Sequence, residues 1–313
     1  MNDYQKIHDK QKQHMNDDAF NTERKDIHES WFRNDTVDFW RHKRMYQTIE
    51  PIAAFYPEKK WLTIGDGRYG LDANRLNAMF GIDVFPTDIS QNMLEEGKER
   101  GIIKEYGVEN AENLSFPDHS FDFVFCKESF HHFPRPIMAL YEMIRVSKDG
   151  VILIEPNEKL TLIPPINMLK QLIKVILKPI FPKRITSNKH FSITTNIHSA
   201  YEPSGNYIYS ISRREFVKIA HGLNLRTVAW KGLNDHYIKG CEFERSDANN
   251  EVFTKLQQII NKRDRLCKSF PAFHDYDLIT IVLFKQEIDP KLKASMEADG
   301  FTFAKPIRNP YLD

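Results

Sequence analysis

The 313-residue chain has few cysteines and no long uninterrupted apolar run. Cys126, Cys241 and Cys267 lie far apart and match no metal-binding spacing, which favours a reducing compartment. No apolar segment approaches the roughly eighteen residues that a membrane-spanning helix needs. Residues 1–22 are polar, so we expect a mobile N-terminus and no signal peptide. These absences predict a cytoplasmic protein, with peripheral contact at the inner membrane face as an option.

An excess of either charge is also absent, since 44 Lys and Arg against 43 Asp and Glu leave a formal net charge of +1. Global charge therefore argues neither for nor against a nucleic-acid partner. No nucleic-acid recognition module and no metal-type cluster of carboxylates is seen, so we expect neither partner. An apolar content of 41% supports a substantial core. The length suits one large α/β domain with insertions.

The most informative stretch begins at Trp61 and reads WLTIGDGRYGLDANRLNAMFGIDVFPTDIS. The apolar run at 61–64 predicts a buried strand that breaks into a glycine-rich turn at 65–70. Apolar residues at helical spacing follow in 71–80, and a second strand at 82–85 ends near Asp88. Strand, glycine turn, helix, strand and acid form the pattern of a nucleotide-binding βαβ unit, in which the acid binds ribose hydroxyls.

Strands and helices continue to alternate along the chain. The predicted strands lie in 107–117, 120–126, 151–154, 225–230 and 276–284, and the predicted helices in 26–55, 90–94, 136–146, 212–221 and 250–269. This order predicts an α/β fold with a doubly wound, seven-stranded, mostly parallel sheet, N-terminal helices and helical insertions that form a cap. Ligands of such sheets bind at the carboxyl ends of the strands, where the polar segments of this sequence recur.

Four segments carry a resemblance to a known family: LTIGDGRYG, VFPTDIS, NAENLSFPDHSFDFVFCKESFHHFP and IRVSKDGVILIEPNE. They resemble the class I S-adenosylmethionine-dependent methyltransferases, nearest the branch with ubiquinone and menaquinone methyltransferases. The third segment is the most distinctive. The likeness is close over residues 60–158 and looser over 207–231 and 275–285.

The resemblance implies S-adenosylmethionine as cofactor and S-adenosylhomocysteine as product. The residues that it places against the cofactor are Gly65, Asp66, Gly67, Gly70, Asp88, Ile89, Asn110, Ala111 and Lys127. Within this set, the glycines would line the methionine part, Asp88 the ribose and residues 89 and 110–111 the adenine. The chain departs from the family at Thr63, where an acid is usual, and at Arg68-Tyr69, which stretches the glycine pattern; Asp66 is the acid that would compensate.

Two other functions fit the glycine turn. The spacing of Gly65, Gly67 and Gly70 satisfies the G-x-G-x-x-G pattern of NAD-dependent oxidoreductases, although the FPDHSFDFVF and HHFP segments have no role there. A non-catalytic cofactor-binding scaffold is the second alternative, because Thr63 alters the loop. We expect a methyltransferase.

Methyl transfer to an oxygen nucleophile gains from a general base. His132 and His131, just past the fourth predicted strand, are the candidates, although one such histidine often serves only for packing. Weaker candidates lie in the cap: Glu158, His198, Glu202, Asp235 and His236.

The predicted domain layout has five parts. They are an N-terminal helical extension (1–55), the core (56–158 and 207–285), a basic insertion (159–206), a second insertion inside the core (231–275) and a tail (286–313). Residues 159–201 contain seven Lys or Arg and no Asp or Glu. Within them, 164–178 predicts an amphipathic helix that is a lid, a homodimer contact or, through 163–184, a peripheral membrane contact.

The acceptor is the least defined part of the prediction. The IEPNE and SGNYIYSISRREF segments resemble, faintly, methyltransferases of bacterial polysaccharide biosynthesis. We therefore expect O-methylation of a small molecule or sugar, with a glycan or lipid-linked saccharide as one option.

Overall fold

A computed structural model describes residues 3–19, 22–158, 201, 206–269 and 276–311. Its centre is one sheet of eight strands in the order β3-β2-β1-β4-β5-β7-β6-β8. The strands are β1 (Lys60–Ile64), β2 (Asp83–Asp88), β3 (Gly107–Val108), β4 (Phe121–Lys127), β5 (Ser147–Pro156), β6 (Thr227–Leu233), β7 (Leu278–Phe284) and β8 (Thr302–Ala304). The first five pair in parallel, whereas β7 runs antiparallel to both β5 and β6. The predicted doubly wound α/β fold is confirmed.

The predicted strand number of seven was one too low. The eighth strand, β8, comes from the segment 286–313 that the sequence suggested was a tail, and it pairs antiparallel with β6. Apolar side chains hold this segment in place, since Leu292 and Met296 are fully buried and Phe301 is nearly so. The C-terminal segment is therefore part of the core.

Helices cover both faces of the sheet. They are α1 (Asp3–Ala19), α2 (Lys25–Ser30), α3 (Val37–Gln47), α4 (Glu50–Phe55), α5 (Leu71–Phe80), α6 (Gln91–Glu99), α7 (Pro136–Val146), α8 (Arg213–Gly222), α9 (Glu251–Ser269) and α10 (Pro290–Ala298). One core packs α7 and α8 against the sheet, and the other packs α3, α4, α5 and α10. Side chains of β5 alternate between the two cores, as a strand covered on both sides requires.

The prediction that residues 1–22 are mobile was wrong for Asp3–Ala19, which form α1. Low apolar content misled the prediction, because polar contacts attach this helix to the domain. The Gln11 amide donates to the His132 carbonyl at 2.6 Å, and the Ser90 hydroxyl donates to the Asn16 side chain at 3.0 Å. Ser90 stands at the N-cap position of α6, but its side chain makes no cap bond. Its hydroxyl donates to Asn16 of α1 instead.

The two insertions are described to different extents. The predicted helix 164–178 lies outside the described residues, so its three interpretations stay predictions. In the second insertion, α9 begins and ends within one residue of the predicted range, and it packs on α3 through Val37, Phe253 and Leu256. Among the described residues, no helix combines the length and apolar character needed to cross a membrane.

Candidate cofactor and catalytic site

The glycine turn after β1 is shaped by positions that tolerate no side chain. Gly65 and Gly70 have positive φ angles of 75° and 73°. A Cβ at Gly65 would lie 2.4 Å from the Ser129 Cβ, and one at Gly67 would lie 2.9 Å from a carboxylate oxygen of Asp88. The turn therefore needs glycine to lie against the ends of β2 and β4.

Asp88 ends β2 and has the properties of a group prepared for a ligand. It is 6% exposed, and burial raises the pKa of its carboxyl to about 6. The Ser90 amide donates to it at 2.7 Å, and no side chain in the described part of the chain donates to it. A carboxylate without a side-chain donor, facing a cavity, suits a pair of hydroxyl groups.

The residues predicted to contact the ribose and adenine come together. Gly65, Asp88, Ile89, Asn110 and Ala111 line one cavity between the ends of β1, β2 and β3. The Asn110 side-chain oxygen accepts from the Glu112 amide at 3.0 Å, which fixes the loop that forms the far wall. Five of the nine predicted cofactor residues therefore line one cavity, whereas Asp66, Gly67, Gly70 and Lys127 do not.

Asp66 differs from the expectation that it faces the cofactor. Its carboxylate points into the start of α5 and accepts from the amides of Asp72 and Ala73, each at 2.9 Å. The Thr63 hydroxyl also donates to it at 2.9 Å. Burial, followed by the nearby charge of Asp72, raises the pKa of Asp66 to about 7. Thr63, where the family usually has an acid, therefore helps Asp66 to cap the helix that follows the turn.

Lys127, at the end of β4, lies in a buried polar network. Its ammonium is 3.3 Å from an Asp72 oxygen and 3.2 Å from His42 Nδ1. Burial alone would lower the pKa of Lys127, but the carboxylate of Asp72 raises it above its usual value. Burial and the Lys127 charge hold the pKa of His42 well below its usual range, so this imidazole is neutral. The Tyr46 hydroxyl donates to Asp72 and completes the network.

Two basic side chains of α3, Arg41 and His42, are buried and do not lie on a solvated face of the helix. Arg41 pairs with Asp38 at 2.9 Å and with Asp235 of the second insertion. These side chains bind protein carboxylates, and they attach the cap to the region of the glycine turn.

His131 is held by a buried carboxylate that the sequence analysis did not select. Its Nδ1 donates to Glu155 at 2.6 Å, and Glu155 is fully buried at the end of β5. The other Glu155 oxygen accepts from the amides of Ser129 and Phe130, each at 2.9 Å. Because a carboxylate only accepts, the proton of neutral His131 is on Nδ1 and its Nε2 has the basic lone pair. The position of Glu155 directly after an apolar strand was the available signal.

His132 and the weaker candidates have other surroundings. The ring centroids of His131 and His132 are 3.9 Å apart, and the His132 carbonyl accepts from Gln11 and Asn206. Asp235 forms an ion pair with Arg41. Of the remaining candidates, His198 and Glu202 lie outside the described residues. Within the residues that are described, no group of three or more His, Cys, Asp or Glu could hold a metal ion.

Helix α1 covers the adenosyl cavity. His8 and Gln11 line it together with Gly65 and Asp88, and the free volume that remains is about 30 Å³. That volume is on the order of one water molecule. An adenosyl group is far larger, so binding of a cofactor at this cavity would require α1 to move.

The comparisons with known proteins agree with this geometry. Residues 62–154 match the family model described as a methyltransferase domain. Residues 62–154 are a class I methyltransferase domain. The predicted resemblance is confirmed for this domain, and S-adenosylmethionine is its cofactor.

Curated relatives cover only part of the chain. A demethylmenaquinone methyltransferase of Bacillus cytotoxicus is 33% identical over 135 residues, 40% of this chain and 56% of the relative. Another, of Staphylococcus haemolyticus, is 34% identical over 117 residues, 34% of this chain and 46% of the relative. The chain spans about half the length of the curated relatives it matches.

Solved structures show a more distant likeness. A putative sarcosine dimethylglycine methyltransferase from Galdieria sulphuraria has a TM-score of 0.45 and 17% identity, with 80% of this chain and 85% of the other covered. The fold assignment rests on the strand order of the present sheet.

The raised pKa of Asp88 predicts how stability depends on pH. Folding shifts this pKa from 3.8 to about 6, so the folded protein holds the proton more tightly than the unfolded chain. The contribution of Asp88 to the free energy of unfolding should fall as pH rises from about 4 to about 6 and then level off, whereas the buried Asp66 adds a fall of its own up to about pH 7. Asp88→Asn should remove only the Asp88 contribution and raise stability at neutral pH by up to about 3 kcal/mol. Urea denaturation measures both effects.

Asp83→Asn is the matched control, because Asp83 is exposed at the other end of β2. It should change the free energy of unfolding by less than about 0.5 kcal/mol. If Asp88→Asn kept the wild-type pH dependence, Asp88 would not be the group that titrates.

The cover formed by α1 predicts a kinetic effect. Gln11→Ala removes the hydrogen bond to the His132 carbonyl, worth about 1 kcal/mol, and should favour the open position of α1. We expect S-adenosylhomocysteine to associate roughly fivefold faster in stopped-flow fluorescence. Gln13→Ala, at an exposed position of the same helix, should leave the rate unchanged. If Gln11→Ala associated with S-adenosylhomocysteine at the same rate as Gln13→Ala and the wild type, α1 would not control entry.

Proposed function

We propose that this protein is an S-adenosylmethionine-dependent methyltransferase that methylates a hydroxyl oxygen of a small molecule or sugar. A glycan or lipid-linked saccharide is one form of this acceptor. The observation that carries the proposal is the His131–Glu155 pair beside the glycine turn. Ser129 connects this pair to the glycine turn, since its amide donates to Glu155 and its hydroxyl donates to the Gly65 carbonyl at 2.7 Å.

The cofactor supplies an electrophilic methyl group on a sulfonium sulfur when it is bound. The chain's contribution is to hold it in place and to exclude water. Asp88 would accept from the ribose hydroxyls, and Ile89 and Ala111 would lie against the adenine. Gly65 and Gly67 would let the backbone approach the remainder without a Cβ in the way.

His131 would act as the general base. A hydroxyl acceptor keeps its proton at neutral pH, and Nε2 of His131 would take that proton as the new oxygen–carbon bond forms. The Glu155 carboxylate, at 2.6 Å from Nδ1, would stabilise the imidazolium that results. We prefer His131 to His132 because the Glu155 contact orients its ring and fixes its tautomer.

A demethylmenaquinone is the second candidate acceptor. The observation that favours it is the similarity to the demethylmenaquinone methyltransferases of Bacillus cytotoxicus and Staphylococcus haemolyticus.

A cofactor-binding protein without turnover is a further alternative. It predicts binding of S-adenosylhomocysteine and no methyl transfer to any acceptor. A peripheral membrane contact through 163–184 and a homodimer stay proposals, because 163–184 lies outside the described residues.

Variants of the histidines and of Glu155 test the proposed base. With a panel of sugar, sugar phosphate and quinol acceptors, His131→Gln should lower kcat by about 10²- to 10⁴-fold. In Glu155→Gln, an amide would replace the carboxylate beside Nδ1 and favour the wrong tautomer. We expect kcat to fall and the acid side of its pH profile to move to lower pH. Formation of S-adenosylhomocysteine measures the rates.

His132→Gln is the contrasting variant and should keep most of the activity. Both histidine variants should bind S-adenosylhomocysteine as the wild type does. Loss of activity in His132→Gln with full activity in His131→Gln would assign the base to His132 and contradict the proposal.

A further inference from the structure

A second cavity, of about 710 Å³, opens at the carboxyl ends of β5 and β6. Part of its wall is apolar and aromatic, formed by Trp230, Leu233, Tyr276 and Ile279. This size is in the range of small-molecule sites. None of the predicted cofactor residues lines it, nor does His131 or His132, so it is separate from the adenosyl cavity; the weaker base candidate Glu158 does line it.

The rest of its wall is basic. Five cationic side chains line the cavity, namely Arg44, Arg213, Arg214, Lys231 and Lys268, against the three carboxylates of Glu158, Asp264 and Asp299. Lys231 is bound to Asp299 at 2.7 Å, and Arg44 donates to the Asn234 carbonyl at 3.0 Å. The other three cationic side chains are exposed and form no hydrogen bond or ion pair with the described residues; they are Arg213, Arg214 and Lys268.

We propose that this cavity binds the phosphate or diphosphate group of the methyl acceptor. Two neighbouring guanidinium groups and an ammonium, with no partner among the described residues, are the donors that phosphate oxygens require. The aromatic and apolar wall would hold the organic part of the same molecule. The inference rests on the proposed function and narrows its acceptor to a phosphorylated compound, either a soluble sugar nucleotide or a lipid-linked diphosphate.

Backbone hydrogen bonds place this cavity next to the proposed base. The Tyr209 amide donates to the His131 carbonyl at 3.4 Å, and the Ile211 amide donates to the Pro156 carbonyl at 3.0 Å. The segment that contacts the His131 loop thus continues directly into Arg213 and Arg214. On the opposite wall, Asn157 follows Glu155 by two residues, so their Cα atoms are at most about 7 Å apart. The wall of the cavity and the loop of the proposed base are therefore neighbours in the fold.

Isothermal titration of the full chain with inorganic pyrophosphate tests the site. We expect binding that weakens with added salt, and at least a tenfold loss of affinity in the double variant Arg213→Gln/Arg214→Gln. Lys268→Gln, on a different element, should weaken binding as well. Lys218→Gln removes the same charge from an exposed position of α8 outside the cavity and should have no effect. Equal affinity in all variants, or no binding by the wild type, would overturn the inference.

S-adenosylhomocysteine is titrated into the same proteins and should bind all of them equally. If it binds and pyrophosphate does not, the phosphate site is wrong and the proposed methyltransferase stands. If pyrophosphate binds and S-adenosylhomocysteine does not, the anion site stands and the proposed function fails.

Competition against pyrophosphate distinguishes the two sources of phosphate. Uridine diphosphate glucose represents the soluble source, and farnesyl diphosphate in phosphatidylcholine vesicles represents the lipid-linked source. Competition by either supports the site and identifies the class. Two outcomes would contradict a site for phosphorylated acceptors. In one, phosphatidylcholine vesicles that carry no diphosphate displace pyrophosphate; in the other, neither diphosphate displaces it.

Discussion

The buried carboxylate of Glu155 connects the parts of the site. It accepts from two amides of the loop that follows β4 and from His131, and it has no exposure to solvent. A buried carboxylate without such partners would be strongly unfavourable, so the loop is constrained to the conformation that supplies them. Through Ser129 the same loop bonds the Gly65 carbonyl. The orientation of His131 and the shape of the glycine turn therefore depend on one side chain of β5.

A second set of buried charges attaches the outer helices to this centre. Lys127 and Asp72 join the end of β4 to α5, and Arg41 joins α3 to Asp235 of the second insertion. The cost of removing such charges from water offsets much of their attraction, so their net contribution to stability is small. Their value is geometric, because one partner without the other would leave an unpaired buried charge. This requirement fixes α3 against the glycine turn.

The parts of the molecule that were predicted correctly are encoded locally. The run at 61–64 is buried as a strand, helix α7 has the predicted bounds of 136 and 146, and helix α8 begins and ends within one residue of the predicted range 212–221. The glycine turn and the following acid meet at one cavity, which Gly65 and Asp88 both line, because both stand at the carboxyl ends of neighbouring parallel strands.

The features that the sequence did not predict depend on long-range pairing. Glu155 acquires its role only when β5 lies beside β4, and β8 exists because the C-terminal segment returns to pair with β6. Helix α1 is too polar for a periodicity argument, and Gln11 finds its partner 121 residues away. Asp66 was assigned to the cofactor because position alone does not reveal which way a side chain points.

The most direct test of this account is isothermal titration of the full chain with S-adenosylhomocysteine and, separately, with NAD. The match of residues 62–154 to a methyltransferase domain predicts saturable binding of one S-adenosylhomocysteine and no binding of NAD. Binding of NAD in place of S-adenosylhomocysteine would contradict the account. So would the absence of S-adenosylhomocysteine binding both to the wild type and to Gln11→Ala, in which the α1 cover is weakened.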